Sequence, residues 1–427
     1  VTTGGQWTRR SVLRGAAAMA GAVAATPLLD GVASALPAAG DADALFKAGK
    51  FEAAGRAYEE ILKSDPTNVR AARQRGYVAL LANKFTDAEK YLQKAVGLAP
   101  DDGDAHKFLA DCYLRQDKLA ASVPHWRAIG EEAIATWLSA VQGEPYQIHG
   151  DIGRAEFLRM DPTPQVEVSI NGGPPKRFTF YTGAPSMSMR MTVAKQAGLT
   201  PVASQKIDYE GGHIWAHYGI LESFKVGGLE LRNVPVGWSS TESGDDVDTD
   251  SDGMIGTWIF YHLLTTFDYA GRSLILRRPT PDAVRKASAG AEPLPLWLAD
   301  DHYLHTTGSI AGSGPRVMGT NFGGSGEMAA VVFGDTAERL KIRTDHDRPL
   351  ETFGHSAPTV VLPCYPREIR VGSAVARDIY CEAATRGRTD ELGFDVPAAV
   401  FQCFWKPYNV TLDFTGMNLY VARGKVT

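Results

Sequence analysis

The spacing of apolar residues changes once along the chain, and the change separates two kinds of element. The segments FKAGKFEAAGRAYEEILKSDP, GYVALLANKFTDAEKYLQKAVGLAP and LADCYLRQDKLAASVPHWRAI align at a single period. Phe51, Phe85 and Leu119 are 34 residues apart, as are Ala54, Ala88 and Ser122, and so are Pro66 and Pro100. The period predicts paired helices over residues 36–136. A small side chain lets two helices cross closely, an aromatic one fills the neighbouring hole, and proline ends the second helix of each pair. Three such units bury a shared core that none could form alone. The third departs from the pattern, with Ser122 in the small position and Pro124 expected to interrupt its second helix.

Beyond Gly150 the period falls to two. PQVEVSINGG and KRFTFYTG alternate apolar and polar residues and break at Gly172-Gly173-Pro174-Pro175, the signature of a hairpin. One pattern recurs: FDYAGRSLILRR at 267–278 and LDFTGMNLYVAR at 412–423 share an Asp, an aromatic, a Gly, a Leu and a final Arg, with Asp268 and Asp413 145 residues apart. The recurrence predicts two related β-lobes, each closed by one copy of the hairpin, with residues 279–293 as the linker between them.

Composition narrows the partners. The 427 residues are 44% hydrophobic and 22% charged, enough for two or three cores, and 44 Gly with 24 Pro argue against an all-helical chain. A formal charge of -5 without a Lys/Arg block beyond the first fourteen residues excludes nucleic acid as the expected partner. Cys112, Cys364, Cys381 and Cys403 form no CxxC pair and are too sparse for a disulfide-built scaffold, so at most they staple a fold that stands without them. The glycine-rich stretches 312–314 and 321–326 lack the ending of a phosphate loop and read as turns.

The N-terminal 35 residues read as an address. A basic start leads through an alanine-rich apolar stretch to Ala33-Ser34-Ala35, a small-x-small exit site. Arg9-Arg10 followed by Ser11, Val12 and Leu13 resembles a bacterial twin-arginine export signal. The resemblance implies a secreted or cell-envelope protein and transient contact with export machinery. An uncleaved anchor is the alternative, but Gly15, Gly21, Pro27 and Asp30 leave the apolar stretch short of the roughly twenty residues a bilayer span needs. Removal of residues 1–35 leaves 41 basic and 48 acidic residues, a charge of -7.

The 34-residue period resembles tetratricopeptide repeats. Such repeats offer a surface for a peptide, a protein partner or a second copy; equally, they serve as a structural prefix packed on the chain's own C-terminal domain. PQVEVSINGGPPKRFTFYTGAPSMSMRMTVAKQAGL, LESFKVGGLELRNVPVG and DGMIGTWIFYHLLTTFDYAG resemble the first lobe of a retropepsin-like aspartic protease. PLPLWLADDHYLHTTGSIAG, VMGTNFGGSG and FDVPAAVFQCFWKPYNVTLDFTG resemble the second. The implied fold is N-terminal α/α repeats followed by an all-β bilobal pepsin/retropepsin-like domain. Its expected division is signal peptide 1–35, repeats 36–136, connector 137–162, first lobe 163–278, linker 279–293, second lobe 294–423 and tail 424–427.

That resemblance implies an Asp-Thr/Ser-Gly turn from each lobe and a hairpin flap over the cleft. The first turn reads Tyr181-Thr182-Gly183, with Tyr181 at the aspartate position, and the second is expected at Gly319-Thr320-Asn321, with Gly319 at the other. Thr182 and Thr320 are retained to brace the turns. Peptide hydrolysis by this family needs two carboxylates sharing one proton. A phenol, ordinarily ionising near pH 10, does not replace one, and glycine has no acid at all. The expected function is therefore a degenerate protease fold that binds a peptide or small apolar ligand in the cleft without normal peptidase activity.

Two alternatives rest on other residues. Residues 206–221, KIDYEGGHIWAHYGIL, occupy the flap position and contain Asp208, Glu210, His213, Trp215 and His217. His213 and His217 fall on one face of a strand, and with Tyr181 they could serve a non-hydrolytic cyclase, dehydratase or isomerase as proton-transfer or orienting groups. A peptidase using Asp208, Asp300 or Asp301 as non-standard acids is the other. No cofactor is expected. His213 and His217 lack two further ligands at matching spacing, so no metal is expected either.

Overall fold

The computed structural model describes residues 39–209, 212–241, 251–324, 326–353, 358–384, 387 and 389–424. The expected leader over residues 1–35 and Glu210 lie outside them. The described chain opens with seven helices: α1 (Ala39–Lys47), α2 (Phe51–Ser64), α3 (Val69–Leu81), α4 (Phe85–Leu98), α5 (Gly103–Leu114), α6 (Leu119–Ala128) and α7 (Glu132–Ser139). Asn68 caps α3 by accepting the Ala71 N–H at 2.9 Å, and Asp102 caps α5 by accepting the Ala105 N–H at 3.0 Å, so each satisfies a donor that a helix start leaves open. Ala54, Ala88 and Ser122 are fully buried at the repeated helix crossings. Pro66 and Pro100 lie just past α2 and α4.

Pro124 does not interrupt the third pair. Helix α6 runs through it, because a proline in the second turn removes a single N–H bond from a helix that otherwise keeps its apolar face. Leu119, Val123 and Trp126 of that face are all buried.

The 34-residue period extends to the backbone. Gly49, Asn83 and Asp117 link the two helices of successive pairs, and all three are left-handed, with φ of 73°, 51° and 57°. In each turn the following lysine, Lys50, Lys84 or Lys118, donates its N–H back to Leu45, Ala79 or Tyr113 at 2.9–3.0 Å, which closes the helix C-terminus.

Among the described residues, three sheets follow. An eight-stranded sheet uses residues 147–255, an eleven-stranded sheet residues 297–400, and a six-stranded sheet draws strands from both halves. The two recurrent hairpins, Leu264–Asp268 with Ser273–Arg277 and Tyr408–Asp413 with Asn418–Arg423, pair edge to edge in that third sheet. Thr266 and Thr411 face each other across the seam, their hydroxyls 2.8 Å apart. The recurring residues have one job in both copies. Asp268 accepts the Gly271 N–H at 2.8 Å, Asp413 accepts the Gly416 N–H at 3.0 Å, and a Cβ on either glycine would stand 2.5 Å from its carboxylate.

The expected connector and linker carry structure of their own. Strand Ile152–Glu156 pairs with Ser273–Arg277 at the edge of the six-stranded sheet, and strand Gln147–His149 pairs with Leu229–Ser240. Residues Pro281–Ala287 form a short helix capped by Thr280.

The repeats pack directly on the β-domain. Phe51 meets Trp297 and Phe394 edge-on, with centroids 5.1 and 5.0 Å away, and Ala299, Val317, Leu392 and Val396 join the same apolar cluster as α1–α5. The periodic turns make these contacts in series: Gly49 lies against Val317, the Asn83 amide donates to the Tyr261 hydroxyl at 3.1 Å, and Asp117 meets His262 Nε2 at 3.0 Å.

Candidate functional site

Two strand ends, one from each of the larger sheets, meet through the residues that follow them. Strand Lys176–Phe180 runs parallel to Gly253–Ile255, with Phe180 opposite Ile255, and the next residue, Tyr181, donates its N–H to the Ile255 carbonyl at 3.0 Å. Strand Ser313–Thr320 runs parallel to Ala398–Val400, with Thr320 opposite Val400, and the next residue, Asn321, donates its N–H to the Val400 carbonyl at 2.9 Å. The register therefore matches Tyr181-Thr182-Gly183 with Asn321-Phe322-Gly323.

This corrects the expected second turn. Gly319 and Thr320 are still strand residues, and Gly319 is required there because a Cβ would come within 2.7 Å of the Ala399 Cβ. The position equivalent to Tyr181 belongs to Asn321. Thr320 does not brace the turns either: its hydroxyl is buried and has no hydrogen-bond partner among the described residues.

The contacts across the turns come from Thr182 and from backbone. The Thr182 N–H donates to the Phe322 carbonyl at 2.9 Å, and the Phe322 N–H returns a bond to the Thr182 hydroxyl at 2.8 Å. That hydroxyl donates in turn to the Asn321 side-chain carbonyl at 3.1 Å, while the Thr257 hydroxyl donates to the Thr182 carbonyl at 2.9 Å. Phe322 has no hydroxyl to reciprocate. Its ring instead stacks on Phe267, 4.7 Å away and nearly parallel, and on Trp405 at 5.6 Å. Tyr181 and Asn321 are half-buried, whereas Thr182, Phe322 and both glycines are buried. The Tyr181 ring folds over Gly183, where a Cβ would stand 2.5 Å from the phenol oxygen.

The flap-like segment is a long hairpin of strands Ala203–Tyr209 and Gly212–Val226. His213, Trp215 and His217 alternate along one face, opposite Asp208, Lys206 and Ser204. Trp215 is 36% exposed, and Asp208 is exposed beside Lys206. His217 is spoken for: its Nδ1 lies 2.8 Å from the Ser204 hydroxyl, its Nε2 3.0 Å from the Ser240 hydroxyl, and its ring stacks on Trp238. Burial lowers its pKa, which favours the neutral ring.

The other face of the hairpin rests on α7, a contact with no forewarning in the strand pattern. Trp137 is buried against Tyr218 and Trp258, with centroids 4.8 and 6.0 Å away, and its indole N–H donates to the Gly219 carbonyl at 2.8 Å.

Asp300 and Asp301 belong to the repeat interface instead. Asp300 pairs with Lys107 of α5, and Asp301 pairs with His302 and offers its carbonyl to the Trp258 indole at 3.1 Å. Burial works against the Asp301 carboxylate, but His302 and Lys107 outweigh it and hold its pKa down at about 2. No described hydrogen bond joins either residue to Tyr181 or Asn321. Asp111, on the same helix as Lys107, is pushed up to about 6 by burial.

Chemically, the matched turns present a phenol and a primary amide. Together they offer hydrogen-bond donors, acceptors and an aromatic face, but no carboxylate pair to share a proton. Among the described residues, no group of three or more His, Cys, Asp or Glu side chains is placed to hold a metal ion.

Comparison with known proteins agrees with this architecture. No curated protein matches the chain. A family model described as tetratricopeptide repeat matches residues 41–102 and 74–129, and one described as aspartyl protease matches residues 166–258, a span that contains Tyr181 and the hairpin. The chain thus carries tetratricopeptide repeats followed by a β-rich, aspartyl-protease-like domain.

Proposed function

We propose that the β-domain is a two-lobed aspartic-protease fold whose cleft binds a peptide or a small apolar ligand without cleaving peptides. The observation that carries this reading is that Tyr181 and Asn321 occupy equivalent positions at matched strand ends. Hydrolysis by this fold needs two carboxylates that share a proton and activate water. A phenol and an amide do not replace them, yet they suit recognition: the ring supplies apolar area and the amide fixes orientation. The exposed Trp215 on the hairpin supports an apolar ligand. The matched parallel strand pairs and the shared six-stranded sheet support the two-lobed reading.

In this reading the protein is exported through the leader marked by Arg9-Arg10 and Ala33-Ser34-Ala35. The repeats seat the β-domain, so a protein partner or second copy would use repeat surfaces other than those that meet Trp297, Tyr261 and His262.

The test pairs a cleavage assay with a binding assay. Incubation with a complex peptide mixture from pH 3 to 7 should yield no new termini by mass spectrometry. Titration with hydrophobic peptides should change tryptophan fluorescence, and Tyr181→Ala should weaken the response. Reproducible cleavage lost in Tyr181→Phe overturns the proposal. The non-hydrolytic enzyme reading is weakened because both His217 nitrogens are engaged; turnover of a small molecule that depends on Tyr181 and His213 would restore it.

A further inference from the structure

Three of the four cysteines fall in the second half of the β-domain, and two of them are register partners. Strand Pro358–Tyr365 pairs antiparallel with Cys381–Ala384 so that Cys364 stands directly opposite Cys381. Directly opposed residues leave a sheet on the same face, with Cα atoms about 4.5–5.5 Å apart. That separation falls inside the roughly 4.4–6.8 Å range of disulfides. Both side chains are fully buried. We propose that Cys364 and Cys381 form a cross-strand disulfide when the chain meets an oxidised thiol carrier, and that this bond staples the second and third strands from one edge of the eleven-stranded sheet.

The chemistry is thiol–disulfide exchange. One cysteine thiolate attacks the carrier disulfide and expels a carrier thiolate; the second cysteine then attacks the mixed disulfide and expels the other. The protein gains one S–S bond and loses two protons and two electrons, and the carrier is reduced to two thiols. Burial raises both thiol pKa values, to about 12 for Cys364, so neither supplies an attacking thiolate once the strands are closed. Oxidation therefore belongs to the open chain or to a local opening of this sheet, and the same burial shields the bond afterwards. This inference is independent of what the cleft binds, and an added oxidant removes any dependence on export.

The full-length chain is refolded from denaturant in a buffer of oxidised and reduced glutathione, and in parallel under reductant. Free thiols are then alkylated in denaturant and the peptides mapped. The expected result is a product lighter by two hydrogens, with Cys112 and Cys403 alkylated and a linked peptide carrying Cys364 and Cys381. Cys403→Ala should leave that linkage intact, and Cys364→Ala should abolish it. Four alkylated cysteines after oxidative refolding to the folded state overturn the proposal, and so does a linkage through Cys112 or Cys403. The wild-type map decides the matter even if Cys364→Ala fails to fold.

Discussion

Tyr181 and Asn321 leave their strands at equivalent points: each follows the last residue of a parallel strand pair and donates its N–H to the carbonyl of the partner strand's final residue, Ile255 or Val400. The equivalence ends with the residues that follow. Thr182 bonds across to the other turn, whereas Phe322 occupies its counterpart with a stacked ring.

Thr182 and Thr320 should therefore respond oppositely to loss of the hydroxyl. Thr182→Val leaves the buried Phe322 N–H without its acceptor, which costs about 1–3 kcal/mol. Thr320→Val removes a buried hydroxyl that has no partner among the described residues, and should be neutral or stabilising. Urea midpoints of the two variants check the register. Equal destabilisation would return the bracing role to Thr320.

Trp137 couples the repeats to the hairpin. Trp137→Ala removes a fully packed indole and should cost about 3–5 kcal/mol. Trp137→Phe keeps most of the stacking but loses the bond to Gly219 and part of the ring volume, about 1–3 kcal/mol. Hydrogen exchange should accelerate over residues 203–209 and 212–219 in the alanine variant. Unchanged protection there would show that the hairpin is held without α7.

The repeats and the strands were legible because their signals are local. One side chain per repeat, such as Ala54 or Ala88, is enough to mark the period. Alternation likewise put His213 and His217 on one face of a strand. What stayed hidden depends on partners far along the chain. The second turn was read two residues early because Gly319-Thr320 resembles a turn until Ala399 and Val400, about eighty residues on, are seen to hold it in a strand. The engagement of His217 depends on Ser204 and Ser240, and that of Asp300 on Lys107, 193 residues away. Gly49, Asn83 and Asp117 did repeat at the 34-residue period, but they share a backbone conformation rather than a side-chain type, so no hydrophobic pattern revealed them.

Asn83 tests the docking turns. Its left-handed backbone suits Gly or Asn, and its amide reaches Tyr261. Asn83→Gly keeps the conformation and loses that contact, about 1 kcal/mol. Asn83→Ala loses the contact and adds a left-handed penalty of about 1–2 kcal/mol. The order wild type, glycine, alanine in thermal stability is the expected result. Equal stability of the glycine and alanine variants would mean that the turn conformation contributes nothing.

Asp301 gives the interface a pH dependence with a definite sign. Its pKa is about 2 in the folded chain against an ordinary 3.8, so the folded state binds this proton less readily than the unfolded one. The resulting stabilisation is fully present above about pH 4 and is lost as pH falls from 4 toward 2. At 1.36 kcal/mol per pKa unit it amounts to about 2 kcal/mol. Asp301→Asn cannot ionise, so it should be less stable than wild type at pH 7, with the gap narrowing below pH 4. Guanidinium midpoints of both proteins at pH 7, 4 and 3 measure that gap. A constant difference across the three would assign the Asp301 contribution to packing rather than to its charge beside His302 and Lys107.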